Sequence, residues 1–159
     1  MKTFSVLAYI NPSKVEAQIS DLIPYIETCV TENNNDYINY SLEVIKHSFK
    51  SSENPSTSAK MEADRISKFL TSAMNHHQAR IVSETLTATG LFILQLKGPD
   101  GSIGAEHQAV VMSLKEGIFN KLQKQDIDQE VKQNSIIAMA QLLTVSYKQL
   151  QAAEINQIV

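Results

Sequence analysis

The residues most able to do chemistry in this sequence are its four histidines, its single cysteine and a few acidic pairs. His76 and His77 are adjacent, so on a helix they point about 100° apart and cannot chelate a metal ion as an i, i+4 pair does. No cluster of Asp, Glu or Cys in the neighbouring sequence completes a site around them. The sequence therefore predicts no metal centre, and we interpret these histidines as a solvated helix end.

No nucleophile or phosphate-binding motif is evident either. Cys29 lies beside Val30 in an apolar helical stretch, without the strained turn or histidine partner that activates a nucleophile, so we interpret it as a small core residue. The loop 98–104 lacks the Gly-Lys-Ser/Thr ending that places a lysine on phosphate. Asp126 and Asp128 suggest acid–base chemistry, but Asp128 precedes a helix and is expected to cap it. We therefore predict that the chain is not an enzyme and has no catalytic residue, cofactor or small-molecule substrate.

Length and composition limit the remaining classes. A chain of 159 residues, 43% of them hydrophobic, can bury a real core in one or two domains. The net charge of −3, without a Lys/Arg cluster, disfavours nucleic-acid binding. The most apolar stretch, 91–96, is far shorter than the roughly 20 residues that cross a bilayer, so we expect no membrane partner. One cysteine fits a reducing compartment, and we expect the protein in the cytoplasm, the nucleus or both.

Apolar residues are spaced three and four positions apart along almost the whole chain, which predicts helices. Any functional surface must therefore be formed by helices. The helices come in pairs, each with a short polar break, and the first members begin near Ser13, Ser58 and Gly104. These intervals of 45 and 46 residues fall within the roughly 40 to 47 of HEAT-type repeats. We predict an all-α fold: an α-solenoid of about three HEAT-type helical hairpins with partial flanking helices, forming one segment. Its parts are the end of a preceding repeat, three repeats and the start of the next, at 1–10, 13–50, 58–97, 104–145 and 150–159.

Three local expectations follow from this pattern. Ser13 and Glu16 form a capping box, so we expect one first helix from Ser13 to about Glu32, bent at Pro24. The fourth helix, from about 79 to 97, is apolar around more than one face and should lie inside the array. The chain begins with an uncapped apolar helical stripe at 4–10, and a repeat array needs polar ends. We therefore expect a piece excised from a longer protein.

The segment Asp126–Lys132, with the sequence Asp-Ile-Asp-Gln-Glu-Val-Lys, is followed by a Met-containing helix. It resembles a repeat in the middle of the cullin-associated, neddylation-dissociated proteins, also called TBP-interacting proteins. The stretch Ile81–Leu86, Ile-Val-Ser-Glu-Thr-Leu, is similar to the preceding repeat of that family. The stretch Ile19–Cys29, with its Leu-Ile-Pro, is similar to the first helix two repeats back. The resemblance covers most of the chain in register, and its specific part is the segment Asp126–Lys132.

The resemblance implies a non-enzymatic scaffold. Members of that family wrap cullin–RING ubiquitin ligase cores, block the neddylation site and displace substrate adaptors, so that receptor modules are exchanged during SCF complex assembly. The implied partner is therefore a protein, a cullin–RING ligase core, and no functional residue of the family transfers to a matching position. A HEAT scaffold of another class, such as an importin-β-like transport receptor, remains the alternative.

A protein-binding surface is expected on the second helices of the hairpins, which line one side of a solenoid. On the fourth helix, and on the sixth, which we expect to start after Asp128, the positions that point away from the core are the candidates for partner contact. They are Arg80, Glu84, Thr87, Glu130, Gln133, Ile137 and Gln141. The competing interpretation is a solvated face that contacts nothing.

Overall fold

The computed structural model describes residues 1–50 and 55–146, and within these ranges the chain is helical. The helices are α1 (Lys2–Ile10), α2 (Pro12–Glu16), α3 (Ile19–Thr31), α4 (Asn35–Lys50), α5 (Thr57–Met61), α6 (Ala63–Met74), α7 (Ala79–Gln95), α8 (Gln108–Leu122) and α9 (Gln129–Ser146). A 3₁₀ turn at Ala105–His107 precedes α8, and the described part contains no strand, only an isolated bridge between Lys97 and Ile103. The predicted all-α fold is confirmed.

The helices form two layers. One layer contains α1, α4, α7 and α9, which pack side by side in that order. Because α4, α7 and α9 are the second helices of the three hairpins, we call it the second-helix layer. The other layer contains α3, α6 and α8, again in chain order. The main first helices begin at Ile19, Ala63 and Gln108, 44 and 45 residues apart, so the hairpins stack as an α-solenoid of repeats, as predicted. One continuous apolar core runs between the two layers.

The first helix differs from the sequence-based expectation. Asn11, rather than Ser13, caps it, because the Asn11 side chain accepts a hydrogen bond from the Lys14 amide at 3.4 Å and Pro12 is the first helical residue. The helix does not run unbroken to Glu32, and the bend at Pro24 stays a prediction. It is interrupted at Ala17 and Gln18, and Pro24 lies within α3.

The interruption is a property of the repeat. Gln18 has φ −107° and ψ 9°, Glu62 has φ −102° and ψ 16°, and His107 has φ −107° and ψ −1°. Each of these residues separates a single short turn from the main helix of its hairpin. The recurrence at the same place in three hairpins indicates that packing of the repeat, and not a local helix breaker, sets the position of the break.

The turn of the first hairpin has a clear local cause. Asn33 has a positive φ of 50°, a conformation that Asn tolerates better than most residues. The amides of Asn33 and Asn34 donate to the carbonyls of Val30 and Cys29 and so close the end of α3. The Asn34 side chain then accepts from the Tyr37 amide at 3.2 Å and caps α4.

α7 is the inner helix that its sequence predicts. Residues on several of its faces are buried, because α4, α6 and α9 all pack against it. Gly90 allows α9 to come close, since a Cβ at this position would stand 3.3 Å from the Cα of Ala138. The early part of α7 contacts α9 through Ser83, and its last turn contacts α4 through Gln95.

α1 packs against α4 in the same layer as the second helices. Its buried face consists of Ser5 and Ala8, whereas Leu7 and Ile10 of the expected apolar stripe are exposed. The assignment of 1–10 to the end of a preceding repeat stays a prediction. The expected start of a further repeat at 150–159 lies outside the described residues.

Candidate protein-interaction surface

The solvent-facing side of the second-helix layer is the candidate surface. On α7, Arg80, Glu84, Thr87 and Leu91 are spaced by four, three and four residues, so the helical period places them on one stripe. Arg80 is exposed and the other three are half-buried. Buried residues of α7, such as Phe92, face the core between the layers. α7 therefore contributes one face to the candidate surface and its other faces to the core.

A polar groove lies between α4 and α7. It has a volume of about 240 Å³ and is lined by Asp36, Asn39, Tyr40, Glu43, Arg80 and Glu84. At the α7 side of this groove, Glu84 pairs with Lys46 of α4, and both side chains are partly buried. The pair connects two consecutive hairpins, so Glu84 has a structural partner within the chain.

α7 and α9 are joined by uncharged contacts. The side-chain amide of Asn134 donates to the Ser83 hydroxyl at 2.7 Å. Farther along the two helices, the Gln141 carboxamide lies over Gly90, where a Cβ would stand 1.7 Å from its Oε1 atom. The closeness of the two helices thus depends on a glycine in α7 and small or polar residues in α9.

The predicted contact residues fall into two groups. Arg80, Glu130, Gln133 and Ile137 are exposed, with Ile137 at 46%. The half-buried members are Glu84, Thr87 and Gln141.

The half-buried group is occupied within the chain. Glu84 pairs with Lys46, and the Thr87 hydroxyl donates to the Ser83 carbonyl at 3.3 Å. Gln141 lies against α7 and does not point away from it. The structure brings Arg80 and Glu84 into one groove and places Glu130, Gln133 and Ile137 together on α9; their contact with a partner stays a prediction.

Sequence reasoning missed the contribution of α4 to this surface. Asp36, Asn39 and Glu43 line the groove; Asp36 and Glu43 are exposed and Asn39 is half-buried. They are spaced by three and four residues, the same signal that identified the stripe on α7. Applying the helical period to α4 as well would have found them.

Asp128, considered above as a possible acid–base residue, caps a helix instead. The Asp128 carboxylate accepts from the amides of Glu130 at 2.9 Å and Val131 at 3.3 Å, as expected for an N-cap. Cys29 is buried, with its thiol 3.0 Å from the Tyr25 carbonyl, as expected for a core residue. In the described part of the chain no three His, Cys, Asp or Glu side chains gather closely enough to hold a metal ion.

Two histidines near helix ends, His47 and His76, are partly buried, so His76 is less solvated than the sequence predicts. Burial lowers the pKa of His76, and its Nδ1 atom accepts a hydrogen bond from the Gln78 amide at 3.1 Å, which requires that nitrogen to be unprotonated. Burial, with the positive charge of Lys46, also lowers the pKa of His47, whose ring contacts Tyr9 edge-on at 5.3 Å. Burial therefore favours the neutral form of both imidazoles.

Comparisons with known proteins agree with the repeat architecture. Residues 14–139 match the family model described as CAND1-like, TPR repeats. The period of a TPR repeat is about 34 residues, whereas the first helices here recur at 44 and 45, the HEAT range. No curated protein matches the chain. None of the helices described is long and apolar enough to cross a membrane.

Proposed function

Because the chain belongs to the CAND1-like family of helical-repeat proteins, we propose that it is a segment of a non-enzymatic scaffold that wraps a cullin–RING ubiquitin ligase core. In this role it holds part of the ligase along its second-helix layer and thereby promotes the exchange of substrate adaptors. The family match over residues 14–139 is the observation that carries the proposal.

The geometry of the second-helix layer supports a protein partner. The neighbouring helices α7 and α9 carry exposed residues of both charges and an exposed aliphatic side chain: Arg80, Glu130 and Ile137. Mixed charge around an apolar contact is the usual arrangement of a protein interface. Each hairpin adds one second helix to this surface, so a long partner can be contacted at several points.

An importin-β-like transport receptor shares the same repeat physics and is the alternative. The family match favours the ligase scaffold over this alternative. The proposed partner also suggests a cytoplasmic or nuclear location, where a reducing environment keeps Cys29 as a free thiol.

The test is a binding measurement with the full chain immobilised and a purified cullin–RING core in solution, prepared with and without the neddylation modification. We expect saturable binding to the unmodified core and weaker binding to the modified one. Recovery of Ran or transport cargo from a lysate, with no cullin bound, would support the importin-like alternative.

Matched variants assign the binding to the proposed surface. The double variant Arg80→Glu and Glu130→Lys reverses one charge on α7 and one on α9, keeps the net charge and should weaken binding about tenfold or more. Lys68→Glu, an exposed change on α6 in the other layer, is the control and should leave affinity unchanged. Equal affinity of the double variant and the unchanged chain would remove this surface from the proposal.

A further inference from the structure

A further cavity lies between two hairpins that both belong to the described part of the chain. Residues of the turn between α6 and α7 meet residues of the turn between α8 and α9 there, and we call it the hairpin-end cavity. Its volume is about 180 Å³, the space of about six water molecules. Its polar lining residues are His76, His77, Lys121, Lys124, Asp126 and Asp128.

Lys121 is a charged residue at a core position. The buried residues of α8 Val111, Leu114, Ile118 and Lys121 are spaced by three, four and three positions, so Lys121 continues an apolar stripe. It is 9% exposed, and it takes part in none of the ion pairs between described residues. Burial lowers the pKa of its ammonium, and the charge of Lys124 lowers it further. A buried ammonium without a counter-charge is costly, so packing alone does not explain a lysine here.

His76 provides a second donor in this cavity. Its Nδ1 atom accepts a hydrogen bond from the Gln78 amide at 3.1 Å, so the proton of the neutral ring lies on Nε2. The Nε2 atom is buried and has no hydrogen-bond partner among the described residues. The ring of His77 packs against that of His76, with the ring centroids 4.2 Å apart. An imidazole N–H and an ammonium thus line one cavity, and the described residues supply neither with an acceptor.

The N-terminus of α7 adds main-chain donors. Gln78 is the N-cap, but its side chain makes no capping hydrogen bond. The first helical bond of α7 runs from the Val82 amide to the Gln78 carbonyl at 3.2 Å. The amides of Ala79, Arg80 and Ile81 precede it and have no acceptor in the described part of the chain. Because Ala79 lines the cavity, the positive end of the helix dipole lies at its edge.

The two acidic residues of the lining do not neutralise these donors. The Asp128 carboxylate already accepts hydrogen bonds from two amides of α9, as described above. Asp126 is exposed, and no ion pair joins it to Lys121 or Lys124 in the described structure. Lys124 brings a second ammonium to the lining. The arrangement therefore suits a small anion that carries several acceptor oxygens.

We propose that the hairpin-end cavity binds one phosphate group through the Lys121 ammonium, the His76 Nε2–H and the first amides of α7. A phosphate group has three strong acceptor oxygens and a charge of about −1.5 to −2, which matches this set of donors. Helix N-termini and lysines commonly bind phosphate. Free inorganic phosphate and a phosphorylated side chain of a partner carry this same group, and the test separates the two sources.

The proposal does not depend on the ligase partner proposed above. None of the lining residues of the cavity belongs to the predicted contact residues on α7 and α9. Loss of cullin binding would therefore leave the phosphate site untouched, and absence of phosphate binding would leave the ligase proposal untouched.

The test follows the isotope-labelled full chain by NMR at constant ionic strength in a phosphate-free buffer. One probe is inorganic phosphate, and the other is a capped Gly-phosphoserine-Gly peptide with its unphosphorylated form as the matched control. We expect saturable shifts of the amides of Ala79, Arg80 and Ile81 and of the His76 side chain. Inorganic phosphate bound at least as tightly as the peptide would identify the free ion as the ligand, and a tighter peptide would identify a phosphorylated side chain. Saturable shifts with neither probe, or equal shifts with the unphosphorylated peptide, would overturn the proposal.

Matched variants assign the binding to the cavity. Lys121→Met keeps a long unbranched side chain without the ammonium, and it should weaken phosphate binding about tenfold or more. Its melting temperature should not fall, because the charge that is removed is buried and unpaired. Lys68→Met removes an exposed lysine of α6 and should leave the affinity unchanged. Equal affinity of the two variants would overturn the proposal. A melting temperature lowered by several degrees in Lys121→Met would do so too, because Lys121 would then have a partner within the chain.

Discussion

The replacement Gln95→Met tests whether one side chain holds two consecutive hairpins together. Gln95 is 5% exposed in the last turn of α7. Its Nε2 atom donates to the carbonyl of Phe49 at 3.0 Å, and its Oε1 atom accepts from the amide of Ser56 at 3.1 Å. The first bond satisfies a carbonyl at the end of α4, and the second fixes the chain just before α5.

Methionine fills a similar volume but can neither donate nor accept these bonds. The substitution leaves a carbonyl and an amide unpaired where Phe49 is 1% and Ser56 2% exposed. A buried backbone group without a partner costs about 1–3 kcal/mol, so the loss of both partners should lower the free energy of unfolding by about 2–6 kcal/mol. At about 2–4 °C per kcal/mol for a chain of this size, the melting temperature should fall by about 4–24 °C.

The assay is urea unfolding followed by circular dichroism at 222 nm, with the thermal transition as a second measurement. Gln133→Met, an exposed position on α9, is the matched control and should change the free energy of unfolding by less than about 0.5 kcal/mol. If Gln95→Met is as stable as the control, the two hydrogen bonds do not join the hairpins and the reasoning is refuted.

Three other substitutions test different parts of the fold. Val131→Asp buries an unpaired charge at a side chain 2% exposed and should destabilise by roughly 3 kcal/mol or more; a melting temperature equal to that of the unchanged chain would show that α9 is misplaced. His76, whose pKa lies below 6.5 in the folded state, contributes stability above that pH that is lost as the pH falls, so His76→Asn should flatten the decline from neutral to mildly acidic pH in urea titrations. The hydrogen bond from Arg65 lowers the pKa of Glu27, so Arg65→Met should return that pKa towards 4.5 by NMR titration, and no change would exclude the bond in solution.

The sequence predicts the features of this fold that have local causes. The helix positions follow from apolar periodicity, the loop after α7 from Gly98-Pro99-Asp100-Gly101, and the start of α9 from the capping carboxylate of Asp128. In each case the determining atoms lie within a few residues of the feature. The recurrence of the hairpins can also be predicted from the sequence, because the polar breaks and loops between helices repeat along the chain.

The features that the sequence does not reveal arise between elements. The breaks at Gln18, Glu62 and His107 occur at three different residue types, none of which is a helix breaker, so the sequence around them does not predict the breaks. The role of Gln95 depends on backbone atoms 39 and 46 residues away. At the candidate surface, the helical period correctly finds the stripe on α7. It cannot show that Gln141 is held against Gly90, because that contact depends on the distance between two helices.

The polar residues of the second-helix layer serve two separate purposes, and this separation determines how the surface should be probed. Glu84, Asn134 and Gln141 contact the neighbouring second helix, so they set the spacing of the hairpins and their replacement would change the surface shape as well as its chemistry. Arg80 and Glu130 have no such role among the described contacts and remain exposed. If replacing Arg80 and Glu130 weakens partner binding, the loss is therefore evidence for direct contact. If replacing Glu84 weakens binding, the loss has two possible causes, because the replacement would also change the stacking of the repeats.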